Sequence, residues 1–313
     1  MRHFLQQMEE EVYHIPALLP ECMEALDISA DGIFVDCTLG GGGHTRAILD
    51  RLGPDGHLYS LDRDIEAIER AERLIADPRF TAVHGNFRFL ENYMDFYKTT
   101  GRVDGILADL GVSFHHFDAA ERGFSFRADG PLDMRMNTLG GRTAADVLAA
   151  ADEAELANIF KLYGEFAQAR KLASSIVKAR QSGRPVATTA QLAAIAEPLI
   201  SPARRKQEMA QIFQALRIVV NGDLEALEAF LRQSLDVLAP GGRLAIITYH
   251  SLEDRLVKNF IRSGRTDGKV EKDIYGRSEV PLKAVGKQIV PGEAEIQNNP
   301  RSRSARLRVA EKL

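Results

Sequence analysis

Three apolar runs end on acids, and four glycines stand in a row after the first. Ile33-Phe34-Val35-Asp36 leads through Cys37-Thr38-Leu39 into Gly40-Gly41-Gly42-Gly43-His44-Thr45, Leu58-Tyr59-Ser60-Leu61 ends on Asp62, and Val103 to Ala108 ends on Asp109. Glycines lack a Cβ, so a backbone built from them turns sharply and lets a ligand come close. The helix they open also presents unpaired N–H groups. An acid at the tip of the next strand can accept both hydroxyls of a ribose. Together these features describe a nucleoside cofactor lying across the carboxyl edge of a parallel sheet.

The glycine spacing selects among nucleosides. A dinucleotide fingerprint requires G-x-G-x-x-G, but counting from Gly40 the sixth residue is Thr45, and from Gly41 it is Arg46,. The looser acid-x-x-x-G-x-G pattern, Asp36-Cys37-Thr38-Leu39-Gly40-Gly41-Gly42, resembles the S-adenosylmethionine loop of class I methyltransferases. That cofactor has no pyrophosphate, so the loop need only hold a methionine carboxylate and leave room for the sulfonium. Asp109 sits where a carboxylate can accept an N–H from an exocyclic amine and free the nitrogen lone pair. Phe114, Phe117, Phe124 and Phe126 are candidates either to stack a base or to fill a core. Amino-methyltransferases of DNA carry two prolines and a ring after this acid. Here Leu110-Gly111-Val112 follows instead, so the base must be held by residues from elsewhere.

Strands and helices must alternate to bring these acids to one edge. Strands are expected at 33–37, 58–61, 80–84 and 103–107, with a helix at 64–75 whose apolar residues recur at helical spacing behind an acidic first turn,. From 113 to 207 the periodicity is helical only, with helices expected at 152–163, 165–180 and 188–199,. One or two helices over 207–238, a Pro240-Gly241-Gly242 turn, a strand at 243–249, a helix at 252–263 and a closing strand at 305–309 complete the pattern,. The expected fold is therefore α/β, a Rossmann-like class I methyltransferase sheet with an inserted helical domain. Residues 1–112 and 208–313 form the catalytic domain, and residues 113–207 form the insertion.

Composition excludes several other classes. A chain of 313 residues with 45% hydrophobic and 27% charged residues can bury a full core,. Two cysteines, Cys22 and Cys37, argue against a disulfide scaffold or a thiolate metal site,. No apolar run approaches a membrane span, so a cytoplasmic protein without membrane or metal is expected. Net charge is −4, yet residues 161–206 hold nine Lys and Arg against two acids, and residues 301–313 hold five against one. Such stretches are either solvated faces or contacts for a polyanion.

Much of the chain resembles one family. His14-Ile15-Pro16-Ala17-Leu18-Leu19, Gly41-Gly42-Gly43-His44-Thr45, Leu61-Asp62-Arg63-Asp64, His84-Gly85-Asn86-Phe87, Asp109-Leu110-Gly111-Val112-Ser113 and Glu121-Arg122-Gly123-Phe124-Ser125-Phe126 are similar to motifs of the ribosomal RNA small subunit methyltransferase H family. Gly130 to Met136, Phe213 to Ile218, Tyr249-His250-Ser251-Leu252-Glu253-Asp254 and Asn299-Pro300-Arg301-Ser302-Arg303-Ser304 extend the match nearly end to end. The resemblance implies transfer of a methyl group from S-adenosylmethionine to N4 of a cytidine in the decoding region of small-subunit (16S) ribosomal RNA, with that RNA or the small ribosomal subunit as partner. It also implies cofactor contacts at Gly42, Gly43, His44, Asp62, Phe87, Asp109 and His116, with Asp109 catalytic. Around the last contact the family usually reads Val-Ser-Ser-x-Gln, whereas this chain has Val112-Ser113-Phe114-His115-His116.

Other readings remain at this stage. A methyltransferase of proteins or small molecules would share the loop, and a ribosome-assembly factor could keep the fold without its chemistry. An oxidoreductase is disfavoured by the glycine spacing. The oligomeric state, a homodimer included, is left open by the sequence.

Overall fold

The computed structural model describes residues 16–111, 119–270 and 280–313. By its contacts the chain divides into two compact units, one of residues 1–111 with 225–313 and one of residues 112–224.

The first unit is built on seven strands: β1 (Ile33–Asp36), β2 (His57–Asp62), β3 (Phe80–His84), β4 (Val103–Asp109), β5 (Leu238–Thr248), β6 (Leu282–Ala284) and β7 (Arg306–Lys312). Their order in the sheet is β3-β2-β1-β4-β5-β7-β6. The first five strands run parallel, and β7 is antiparallel to both of its neighbours. Alternation along each strand sends side chains to opposite faces. Val35, Ile106, Ala108, Leu244 and Ile246 join one buried cluster, while Phe34, Leu107, Ala245 and Ile247 join another. A sheet apolar on both faces must be covered twice. Helices α1 (Leu19–Leu26), α2 (Gly43–Leu49) and α3 (Ile65–Leu74) lie early in the chain, followed by α4 (Leu90–Phe96). Residues of α1 and α2 pack in the Phe34 cluster, and Leu90 and Met94 of α4 pack in the Val35 cluster.

The second unit contains α5 (Ala144–Ala150), α6 (Glu153–Leu162), α7 (Ala169–Gln181), α8 (Thr189–Ala196) and α9 (Arg205–Asn221) around one apolar core. Reciprocal side-chain caps, Thr143 with Asp146 and Thr188 with Gln191, start α5 and α8 by satisfying otherwise orphaned N–H groups,. The Arg180 side chain closes the far end of α5 by donating to the carbonyls of Leu148, Ala149 and Ala151. The first unit then resumes with α10 (Asp223–Val237), α11 (Ser251–Ser263) and α12 (Glu293–Asn298).

Several expectations shift. Helix α9 packs on α6 and α5, so by its contacts it falls in the helical unit, and the first unit resumes at residue 225 rather than 208. The helix expected from residue 165 starts at Ala169, and Glu165, at a left-handed φ of 51°, lies outside the helical range. Leu238 pairs with Val103 but Arg243 pairs with Gly105, so Ala239-Pro240-Gly241-Gly242 loops out as a bulge within β5,. Short elements such as α1, α5, β6 and α12 give too few repeats to show a period.

Candidate active site

The order of the sheet reverses between β1 and β4, and a crevice opens beyond the carboxyl ends of the strands at such a point,. Asp36, Asp62 and Asp109 are the last residues of β1, β2 and β4. Register puts Asp36 opposite Ser60 on one side and Leu107 on the other.

Hydrogen bonds tie the glycine loop to all three acids. Asp36 is fully buried, and its carboxylate accepts from the Thr38 amide at 3.0 Å and the Thr45 hydroxyl at 2.7 Å. The Thr45 hydroxyl lies 2.9 Å from that of Ser60. Asp62 accepts from the Gly40 amide at 2.8 Å with one oxygen and from the Asp64 amide at 2.9 Å with the other. Across the switch point, the Thr38 hydroxyl accepts from the Asp109 amide at 2.7 Å. The loop and the Asp109 backbone are thereby fixed against one another.

The loop needs its glycines at identifiable places. Gly42 caps α2 at φ 79°, a left-handed value that L side chains resist,. At Gly43 a Cβ would come within 2.7 Å of the Pro16 ring. The His44 side chain is buried, with Nε2 3.1 Å from the Ala17 carbonyl.

Burial sets the electrostatics. Removal from water pushes the Asp36 and Asp109 carboxyls above the ordinary carboxylate value, and the nearby His44 imidazole opposes the shift in both. Asp109 also accepts a hydrogen bond from the Tyr249 phenol. That phenol is pushed well above its usual value by burial and by the adjacent Asp109 charge. Gly111 makes room for the ring, since a Cβ there would lie 2.8 Å from Tyr249 Cε2. An edge with three carboxylates suits a sulfonium and an ammonium far better than an anionic pyrophosphate, and a φ-positive glycine cradle suits close backbone contact. The residues present thus fit S-adenosylmethionine.

Other expected residues are placed as follows. Phe87 follows β3 in a short 3-10 turn capped by Asn86 and meets Phe230 edge-on at 5.4 Å. His116, with Phe114 and Phe117, lies outside the described residues. Phe124 is core of the helical unit, and Phe126 packs edge-on against Phe213 at 5.6 Å, so filling a core is the role the structure gives this pair. His250 caps α11: Nδ1 faces the Glu253 amide at 3.4 Å and Nε2 the Glu253 carboxylate at 2.8 Å, a buried structural arrangement. Cys22 and Cys37 are buried free thiols. Among the described residues no cluster of three His, Cys, Asp or Glu stands at metal-binding distance, and no helix is long and apolar enough to cross a membrane.

Thr38, Thr45 and Tyr249 were not singled out from the sequence. Thr38 carries a local signal, the D-x-T step of a side-chain-closed turn. Tyr249 carries a tertiary one: Ile247 pairs with Asp109, and Tyr249 is two residues further along the same chain.

The sheet order with its antiparallel β7, the glycine loop and the three carboxylates at the switch point define a class I S-adenosylmethionine-dependent methyltransferase. Within that class the chain belongs to the MraW methylase family, whose model matches residues 11–313. Relatives named ribosomal RNA small subunit methyltransferase H include one from Parabacteroides distasonis, 53% identical over 98% of this chain and 100% of its own. Another, from Bacteroides fragilis, is 55% identical over 97% of this chain and 99% of its own.

Proposed function

We propose that this protein methylates N4 of a cytidine in the decoding region of small-subunit ribosomal RNA, with Gly42, Gly43, His44, Asp62, Phe87 and His116 contacting the cofactor and Asp109 acting on the target amine. The observation that carries the reading is the 2.7 Å bond from the Asp109 amide to Thr38, which sets a buried carboxylate beside the cofactor loop. Near-full-length relatives named for small-subunit ribosomal RNA support the substrate class.

S-adenosylmethionine supplies an electrophilic methyl on a positively charged sulfur. Asp62 would hold the ribose hydroxyls, and the amides of Gly42, Gly43 and His44 the methionine carboxylate. The exocyclic nitrogen of cytosine is a poor nucleophile because its lone pair is delocalised into the ring. The Asp109 carboxylate accepts an N–H from it, which favours the pyramidal nitrogen that attack on the methyl carbon requires. The cofactor would supply the methyl group and keep the S–C electron pair as its leaving group, and the Asp109 carboxylate would accept the excess proton of the amine. The basic stretch of residues 161–206 in the helical unit supplies contacts to RNA phosphates,.

The test uses labelled methyl donor with naked ribosomal RNA or small subunits lacking the modification, followed by mapping of the base. Asp109→Ala should fold normally and lose methyl transfer. Near-normal turnover removes Asp109 from the mechanism, and a methyl mapped anywhere but cytidine N4 overturns the specificity.

A further inference from the structure

Helix α11 leaves β5 at the carboxyl edge of the sheet, through the His250 cap. Its sequence, Ser251-Leu252-Glu253-Asp254-Arg255-Leu256-Val257-Lys258-Asn259-Phe260-Ile261-Arg262-Ser263, reads as nearly balanced in charge. Folding sorts those charges. Glu253 is 3% exposed, accepting from the Tyr249 amide at 3.0 Å and facing His250. Asp254 is 8% exposed and clasped by the Arg308 guanidinium at 2.7 and 3.0 Å. Both acids are thus consumed inside the fold. What remains exposed on the helix is Ser251, Arg255, Lys258 and Arg262.

These three bases sit at i, i+3 and i+7, one face of an α-helix, and span about 10 Å along its axis. Arg306, half-exposed as the first residue of β7, extends the row to the sheet edge, with its guanidinium 3.9 Å from Asp254. Arg262 is steadied by donating to the Gly268 carbonyl at 3.0 Å, and the neighbouring Asp267 is paired with Arg265 at 3.0 Å. Other helices of the same unit mix both signs: α3 exposes Glu66, Glu69 and Glu72 with Arg73, and α10 exposes Glu225 and Asp236 with Arg232. In a chain of net charge −4, a helix whose own exposed charges are all basic departs from the average,.

We infer that Arg255, Lys258, Arg262 and Arg306 form a ridge that binds the phosphate backbone of the RNA strand leading to the target base. This deepens the substrate reading above and rests on it. A backbone contact of this kind reads charge and not sequence, and it acts on RNA affinity without touching the cofactor.

The experiment measures binding of a ribosomal RNA fragment, and its methylation, across a salt series. It compares the parent protein with an R255Q/K258Q/R262Q variant and with R255K/R262K, which keeps the charge. The triple variant should bind RNA more weakly, and its slope of log affinity against log salt should fall by roughly 2, from three phosphates at about 0.7 each. Turnover at saturating RNA, S-adenosylmethionine affinity and melting temperature should match the parent, and R255K/R262K should keep the parental slope. A triple variant with parental affinity and slope overturns the ridge while leaving the substrate reading intact. Parent protein with no salt-dependent RNA binding overturns both. Normal binding of naked RNA combined with loss of activity only on assembled subunits assigns the face to a protein contact and overturns the proposal.

Discussion

At the scale of single residues, the chemistry turns on how Asp109 is held. Burial disfavours its carboxylate, whereas the Tyr249 phenol favours it. Only the ionised form can take up the proton that the target amine releases. The acidic limb of the methyl-transfer rate should therefore lie above the ordinary carboxylate range. Tyr249→Phe removes a bond that lowers the Asp109 value, so the limb should move to higher pH, with S-adenosylmethionine affinity little changed. A pH–rate profile at saturating cofactor checks this, and an unmoved limb would show that the phenol does not tune Asp109. None of this was visible in the string of residues. Tyr249 is 140 positions from Asp109, and only the pairing of β4 with β5 brings it alongside.

At the scale of elements, the loop after β1 and the tip of β4 act as one part because a threonine joins them. The Thr38 hydroxyl accepts the Asp109 amide, so Thr38→Val leaves that N–H without its acceptor, at a cost of about 1–3 kcal/mol,. Denaturant titration should show the loss of stability, and turnover should fall as the carboxylate loses its fixed backbone. Gly42→Ala tests the loop from the other side. A left-handed residue with a Cβ costs about 1–2 kcal/mol, and a variant loop that relaxes when empty must take on that strain to bind, which should weaken S-adenosylmethionine roughly 5- to 30-fold by calorimetry. Strand periodicity and glycine spacing made this edge legible beforehand, since β3 was expected at its observed bounds and β1, β2 and β4 within two residues. The helix start at Ala169 was not, because the left-handed turn at Glu165 involves a residue type that gives no warning.

At the scale of the whole molecule, cofactor binding should be readable as stability. A ligand at a hundred times its dissociation constant adds about 2.7 kcal/mol, which for a unit of this size raises the melting temperature by roughly 5–10 °C. S-adenosylmethionine should give that shift and NAD should give none, and the reverse result would restore the oxidoreductase reading. The charge of the molecule is unevenly spread over both units. A net −4 conceals bases concentrated in residues 161–206 and on the outer face of α11.

The sequence by itself determined the alternation of strand and helix, the glycine loop and the acids at the strand tips. These depend on local periodicity and on residue types with few conformational alternatives. Tertiary structure alone decided which acids stay at the site and which are spent on the fold. Asp109 faces the loop, while Glu253 and Asp254 are buried against His250 and Arg308. The reason is physical: an ionised side chain is costly to bury unless a partner meets it, and partners distant in sequence are set by strand register and helix packing rather than by neighbouring residues.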